Sequence, residues 1–411
     1  MFGAVERDVW IPLCAFWMGL GLASSFCLPG PARPASGDYT VAMSRALLPL
    51  HAAFILQLTP LPAFVLRLLS PGSFAAHFLP DPGDGRFRPL TVAAGSSIEA
   101  WLYVAGLQGL AIALAAIPRE RRHLAVRILL GSLVILAIEG FWQSRTAHSF
   151  WLYGRIPILA PSGLDTGSFG PYFNRNHFAT LMAVGAALAA GLAATARAHP
   201  NRAVESDPRA LSRVIWFLGA CGVLILASFA SGSRSGVLAA LAGAGIVGAR
   251  ALGLRRLAIV VAMLAVPIGL SSAAAIGRFT QMDFLASRWA AWKDMLPLLG
   301  FFPVFGSGFG TFVEAYLPYQ RNETYEIWEY AHNEYLQCAI EGGVLGIVAL
   351  ATTLRRLRAS LGVDPAFTLP ALGVAVAFAT QAFADFPARV PANAAIVVSI
   401  FSLTLSSRRR R

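Results

Sequence analysis

Charge is scarce in this chain: charged residues make up 13% of it, whereas 56% of its 411 residues are hydrophobic. That balance excludes an ordinary soluble globular domain. Cysteine is scarce as well, and Cys14, Cys27, Cys221 and Cys338 all lie in apolar runs without metal-ligand spacing. They read as small core hydrophobes, and a disulfide scaffold is excluded. The N-terminus has no basic stretch leading to a small-residue cleavage site, so residues 10–28 read as a retained helix and not a signal peptide. H-E-x-x-H is missing, which leaves a zinc protease without support. The glycines of residues 306–310 follow no strand of a βαβ unit, which does the same for a dinucleotide site.

What the chain does have is long apolar runs. Crossing about 30 Å of hydrocarbon takes roughly 20 apolar residues in a helix. Runs of this kind fall at residues 10–28, 46–69, 100–117, 124–143, 176–196, 212–230, 235–249, 254–276, 333–352, 366–386 and 391–406. They do not alternate in polarity, which argues against a β-barrel. An all-α polytopic membrane protein with about eleven (10–12) transmembrane helices is expected. An odd count with the C-terminus inside leaves the N-terminus outside, so either the first helix is miscounted or the proline-containing stretch 58–80 hides a further break.

The net charge of +12 is a mark of topology here and not of nucleic acid. Arginines gather in short connections at residues 119–127, 197–213, 250–256 and 355–358 and in the terminal run 408–411, as expected of cytoplasmic segments. Two long loops, residues 144–174 and 277–331, then lie on the other side. The second shows helical apolar spacing around Arg288, Trp289 and Trp292, and again at Phe312, Ala315, Tyr316 and Tyr319, so two short amphipathic helices are expected over the membrane. The chain divides into N-terminal helices and loop (1–99), a central bundle (100–276), the large loop (277–331) and C-terminal helices (332–411).

Charged groups at helix ends are costly unless paired or wet, which makes each of them a functional candidate. Glu139, Arg175, His177, Arg234, His332, Glu334 and Asp385 all fall at non-cytoplasmic helix ends. SGSRSG at residues 231–236 offers serine hydroxyls, backbone N–H groups, Arg234 and a helix N-terminus to an anion; a polar turn with a snorkelling arginine is the alternative. NRNH at residues 174–177 opens a helix, with Asn174 or Asn176 as cap and Arg175 as a second cation, or as capping plus interfacial anchoring. Arg288 precedes two tryptophans, where an interfacial belt is the other reading. His332 could accept a proton from a hydroxyl at ambient pH, or be structural. Glu341, two turns beyond Glu334, reads as a buried structural partner.

The ordered series FNRNHFA (173–179), SRSG (233–236), the Arg-to-Trp segment 288–292, HNEYLQ (332–337) and EGGVLG (341–346) resembles the O-antigen ligase superfamily. That family takes in lipopolysaccharide ligases, polysaccharide polymerases and protein O-oligosaccharyltransferases. The resemblance spans roughly residues 100–400. It implies a GT-C-like, metal-independent inverting glycosyltransferase of the bacterial inner membrane, working at the periplasmic face without a cofactor. The donor is an undecaprenyl-diphosphate-linked glycan, and the acceptor a lipid A–core or similar hydroxyl. Arg234 and Arg288 look like the residues that engage the diphosphate, and His332 looks like the residue that assists the acceptor. Arg175 is added as a further diphosphate contact. Asn174, His177, Ser233, Ser235, Asn333 and Glu334 complete the expected substrate-binding set.

Two rivals remain. A polymerase of the same superfamily would use a second lipid-linked glycan as acceptor. A lipid-glycan flippase would favour midplane sites and internal repeats, neither of which is visible.

Overall fold

The computed structural model describes residues 7–26, 33–78, 87–145, 151–152, 156–157, 169–172, 174–197, 208–255, 283–321 and 328–407. Its helices are α1 (Arg7–Phe26), α2 (Arg33–Leu58), α3 (Ala63–Leu69), α4 (Pro71–Phe78), α5 (Ala94–Ala115), α6 (Arg119–Arg145), α7 (Arg175–Arg197), α8 (Pro208–Ala230), α9 (Arg234–Leu252), α10 (Asp283–Phe301), α11 (Phe312–Tyr316), α12 (Glu334–Ser360), α13 (Thr368–Ala384) and α14 (Pro391–Thr404). Among the described residues nine helices are long and apolar enough to cross a membrane, and α14 is a shorter apolar helix. The protein is an all-α polytopic membrane protein. Residues 256–276 of the span expected at 254–276 lie outside the described residues.

One expected span is redrawn. The apolar run 46–69 does not continue as one helix: α2 ends at Leu58, and β1 (Pro60–Pro62) pairs antiparallel with β2 (Phe87–Pro89), Pro60 opposite Pro89 and Pro62 opposite Phe87. Prolines withhold N–H donors and bias the preceding residue away from helix, so Pro60 and Pro62 stop what hydrophobicity alone would have carried on.

The chain forms two compact units. The first contains Ile117–Gln281 and Val363–Leu405. Its centre is α7, whose spanning window is 83% buried, against 28% for α6 and α8. Alanine and glycine make this possible: a Cβ at Gly191 would sit 2.4 Å from the Pro370 backbone, so α13 approaches α7 at backbone distance. Outer faces carry exposed Ile135, Trp142 and Leu218, as helices facing hydrocarbon should. One end of this unit is basic. Arg122 hydrogen-bonds the carbonyls of Ile117 and Leu405 there, and Arg197 and Arg250 lie in the last turns of α7 and α9.

The second unit contains Ile11–Ala116 and Met282–Gly362. The expected amphipathic helices of the large loop are α10 and α11. Ala291, Met295, Leu298 and Phe302 pack with Phe312, Ala315, Tyr316, Ala331 and Ile340 in one buried cluster. The first four recur at helical spacing, so α10 turns a single face inward.

Candidate active site

In the first unit the polar cluster forms where α7 and α9 begin, at the opposite end of these helices from Arg197 and Arg250. Asn174 accepts the Asn176 N–H at 2.8 Å and so caps α7. Ser233 caps α9, accepting the Gly236 N–H at 3.2 Å. The two helix starts are joined, because the Ser233 hydroxyl donates to Oδ1 of Asn176 in the first turn of α7 at 2.7 Å. Ser231 accepts the Ser233 N–H at 3.2 Å, and Gly232 takes the left-handed φ of +72° that the turn requires. A Cβ at Gly232 would lie 3.9 Å from Arg175 Nη1. The NRNH and SGSRSG motifs therefore meet.

Arg175 and Arg234 are the first residues of their helices and half-buried. A cation at the positive end of a helix dipole is disfavoured by about 0.3–1 kcal/mol at an exposed site, and an anion bound beside it reverses that sign. From the neighbouring helices, Gln381 donates to Ser235 Oγ at 3.2 Å, and Asn393 donates to the His177 carbonyl at 3.1 Å while accepting the Tyr172 hydroxyl at 2.9 Å. His177 lies within this packing, its ring 4.9 Å from that of Phe386. Asp385 is fully buried at the end of α13.

The second unit's cluster is built on backbone. α12 breaks at Gly343 (φ 57°, ψ −160°), which removes the ordinary helical partners of two N–H groups and two carbonyls. The glycine-rich loop before α11 supplies all four. Val344 N–H bonds Pro303 O and Leu345 N–H bonds Val304 O, while Ser307 N–H bonds Ile340 O and Gly308 N–H bonds Glu341 O, all at 2.9–3.0 Å. A helix broken inside a membrane needs this full replacement. Gln57 of α2 pins the loop from its other side, donating to Phe305 O and Glu341 O and accepting the Phe309 N–H.

Above the break, Asn333 caps α12 by accepting the Leu336 N–H at 3.1 Å, and Glu334 opens the first turn. His332 has φ +48°, the only positive φ at a non-glycine among the described residues. Its Nδ1 lies 3.4 Å from Nη2 of Arg288 on α10. Arg288 is only 3% exposed, His332 is half-buried, and Trp328 meets the imidazole edge-on at 5.6 Å. A guanidinium only donates, so Nδ1 is the accepting nitrogen at this contact.

The expected residues thus form two groups: Asn174, Arg175, His177, Ser233, Arg234 and Ser235 in one unit, and Arg288, His332, Asn333 and Glu334 in the other. Sequence reasoning passed over the buried amides Gln57, Gln337, Gln381 and Asn393, because the search followed charge. The available signal was an uncharged polar residue in an apolar run, which also demands partners. Among the described residues no three His, Cys, Asp or Glu side chains group as a metal site.

No curated protein matches the chain. Residues 219–351, which hold the SGSRSG turn, Arg288 and the HNEYLQ segment, match the family model described as O-antigen ligase. The match covers about a third of the chain, and over that region the chain is similar to the O-antigen ligase family.

Proposed function

We propose that the protein is a glycosyltransferase that moves a glycan from an undecaprenyl-diphosphate carrier to an acceptor hydroxyl at the periplasmic face of the bacterial inner membrane. A lipid diphosphate is an activated leaving group, so the protein must supply cations for the phosphate, a base for the hydroxyl, and alignment. The observation that carries the reading is the contact of buried Arg288 with His332, which sets a fixed positive charge beside an imidazole held in a strained backbone.

In this reading Arg234 and Arg288 engage the diphosphate, as the family resemblance implies, with Arg175 as a further contact, and planar guanidinium groups suit this without a divalent cation. The acceptor oxygen bonds to the anomeric carbon as the carbon–oxygen bond to phosphate breaks. The electron pair leaves with undecaprenyl diphosphate, the anomeric configuration inverts, and the hydroxyl proton passes to His332 Nδ1, which is open to it once the Arg288 N–H turns from the imidazole to the diphosphate. The polar cluster of the first unit lies at the opposite helix ends from Arg197 and Arg250, which supports a non-cytoplasmic site.

Transfer is tested with purified protein, an undecaprenyl-diphosphate-linked oligosaccharide and EDTA, with lipid A–core and a second donor molecule offered as separate acceptors. Arg234→Ala is expected to lower transfer by at least about 100-fold while insertion stays normal. Full transfer by that variant overturns the reading, as does cysteine-accessibility mapping that puts residues 234 and 332 on opposite faces of the membrane. Elongation of the donor in place of lipid A–core modification selects the polymerase.

A further inference from the structure

The left-handed backbone of His332 needs a cause. For a non-glycine residue it costs roughly 1–2 kcal/mol, and such strain persists only where the surroundings over-determine it. The peptide group preceding the strained residue shows how. The Ala331 carbonyl accepts from Trp292 Nε1 at 2.7 Å, and the Ala331 N–H donates to Gln337 Oε1 at 3.0 Å. Both polar groups of the residue before the histidine are fixed, and Ala331 itself is fully buried.

Gln337 is fixed in turn. It is 1% exposed, and its Nε2 donates to Glu341 Oε1 at 3.0 Å. Glu341 is equally buried, and its other oxygen accepts the Gly310 N–H at 3.1 Å. An amide that both accepts from Ala331 and donates to a carboxylate has only one orientation, so the carboxylate decides which end of Gln337 faces the histidine turn. A continuous line of hydrogen bonds runs from the glycine-rich loop through Glu341 and Gln337 to the residue before His332.

We infer that Gln337 and Glu341 are positioning residues that hold the His332 turn, and through it the imidazole, in its strained orientation beside Arg288. The inference rests on the reading of His332 as the acceptor's base. Neither residue touches substrate, so the signature is a fall in turnover with donor binding preserved.

The test uses full-length enzyme in detergent or nanodiscs with the undecaprenyl-diphosphate-linked oligosaccharide and whichever of the two acceptors the wild type uses. Gln337→Met keeps the length of the side chain and removes both bonds. It is expected to lower kcat by about 10- to 100-fold, the scale of a small misplacement of a catalytic group, with donor KM within about twofold of wild type. Gln337→Glu opposes two carboxylates and is expected to fall similarly. The double substitution Gln337→Glu with Glu341→Gln exchanges the two groups. The carboxylate then accepts from Ala331 and from the new amide nitrogen, whose carbonyl oxygen accepts from Gly310. Charge and these three hydrogen bonds are retained, and kcat is expected to return to within about threefold of wild type.

Wild-type kcat in Gln337→Met, or an effect on KM alone, overturns the inference. Failure of the exchanged pair to recover over Gln337→Glu overturns it too, and that comparison stands even where Gln337→Met fails to insert. His332→Ala separates the two levels: if that variant keeps wild-type turnover, the assignment of the base fails, whereas its inactivity beside a fully active Gln337→Met removes the positioning role alone.

Discussion

The two polar clusters are built on different principles. In the first unit, short side chains bind one another: Asn176 to Ser233, Gln381 to Ser235, each cap belonging to the helix it starts. In the second, the loop at 303–310 and the break at Gly343 exchange main-chain hydrogen bonds, and side chains such as Gln57 and Glu341 grip that backbone. Side-chain links are few and replaceable. A backbone splice is all or nothing, because a single misfit leaves several buried groups without partners. The first arrangement suits a pocket that adapts to a charged headgroup, and the second suits one that fixes an imbalance of geometry at His332.

Glycine substitutions give the sharpest test. Gly306→Ala combines φ +72° with a Cβ 2.0 Å from Glu341 O, and is expected to abolish recovery of folded protein. Gly232→Ala has the same φ, but its nearest neighbour is Arg175 Nη1 at 3.9 Å. Its expected cost is about 1–2 kcal/mol, read as a lowered Tm with the protein still inserted. Equal behaviour of the two would erase the distinction.

Gln57→Leu comes next. It leaves Phe305 O and the Phe309 N–H without this partner in a buried setting, and a destabilisation of about 2–4 kcal/mol is expected, measured as Tm in detergent. Asn176→Ala in the first unit is smaller: loss of the Ser233 link is expected to cost about 1 kcal/mol and to raise donor KM several-fold without a matching fall in kcat.

The smallest effect concerns Tyr316. Its hydroxyl is buried without a hydrogen-bond partner among the described residues, and burial, aided by the charge of Asp294, pushes its pKa up to about 12. The folded state therefore holds the proton more tightly than the unfolded chain. The associated stability is complete below about pH 10 and declines as pH rises towards 12. Tyr316→Phe is expected to leave stability at pH 8 within about 0.5 kcal/mol of wild type and to weaken the alkaline decline, as a Tm series between pH 8 and 11 would record.

Much of this architecture was legible in residue order. Apolar runs marked the spans, and the apolar spacing around Arg288, Trp289 and Trp292 marked α10, because burial of one face leaves a periodic trace. NRNH and SGSRSG declared themselves by charge and by capping chemistry. The α2 boundary was harder, since hydropathy ignores the missing N–H groups of Pro60 and Pro62. The splice at Gly343 was not legible at all. Its partners are main-chain atoms of residues 303–308, and main-chain atoms are the same for every residue type. Only the glycines at 306, 308, 310 and 343, whose φ values are all positive, leave a mark of it, and sequence alone does not say which segment they meet.

That splice also divides α12 mechanically. Ile340 and Glu341 on one side of Gly343, and Val344 and Leu345 on the other, all bond the loop, while the shaft beyond carries the exposed apolar residues Ile347, Val348, Leu350 and Leu354. A thicker or thinner bilayer asks such a shaft to change its tilt. With the loop bracing α12 on both sides of Gly343, that adjustment falls to the shaft beyond Leu345, leaving the aim of the histidine turn insulated from the lipid composition around it.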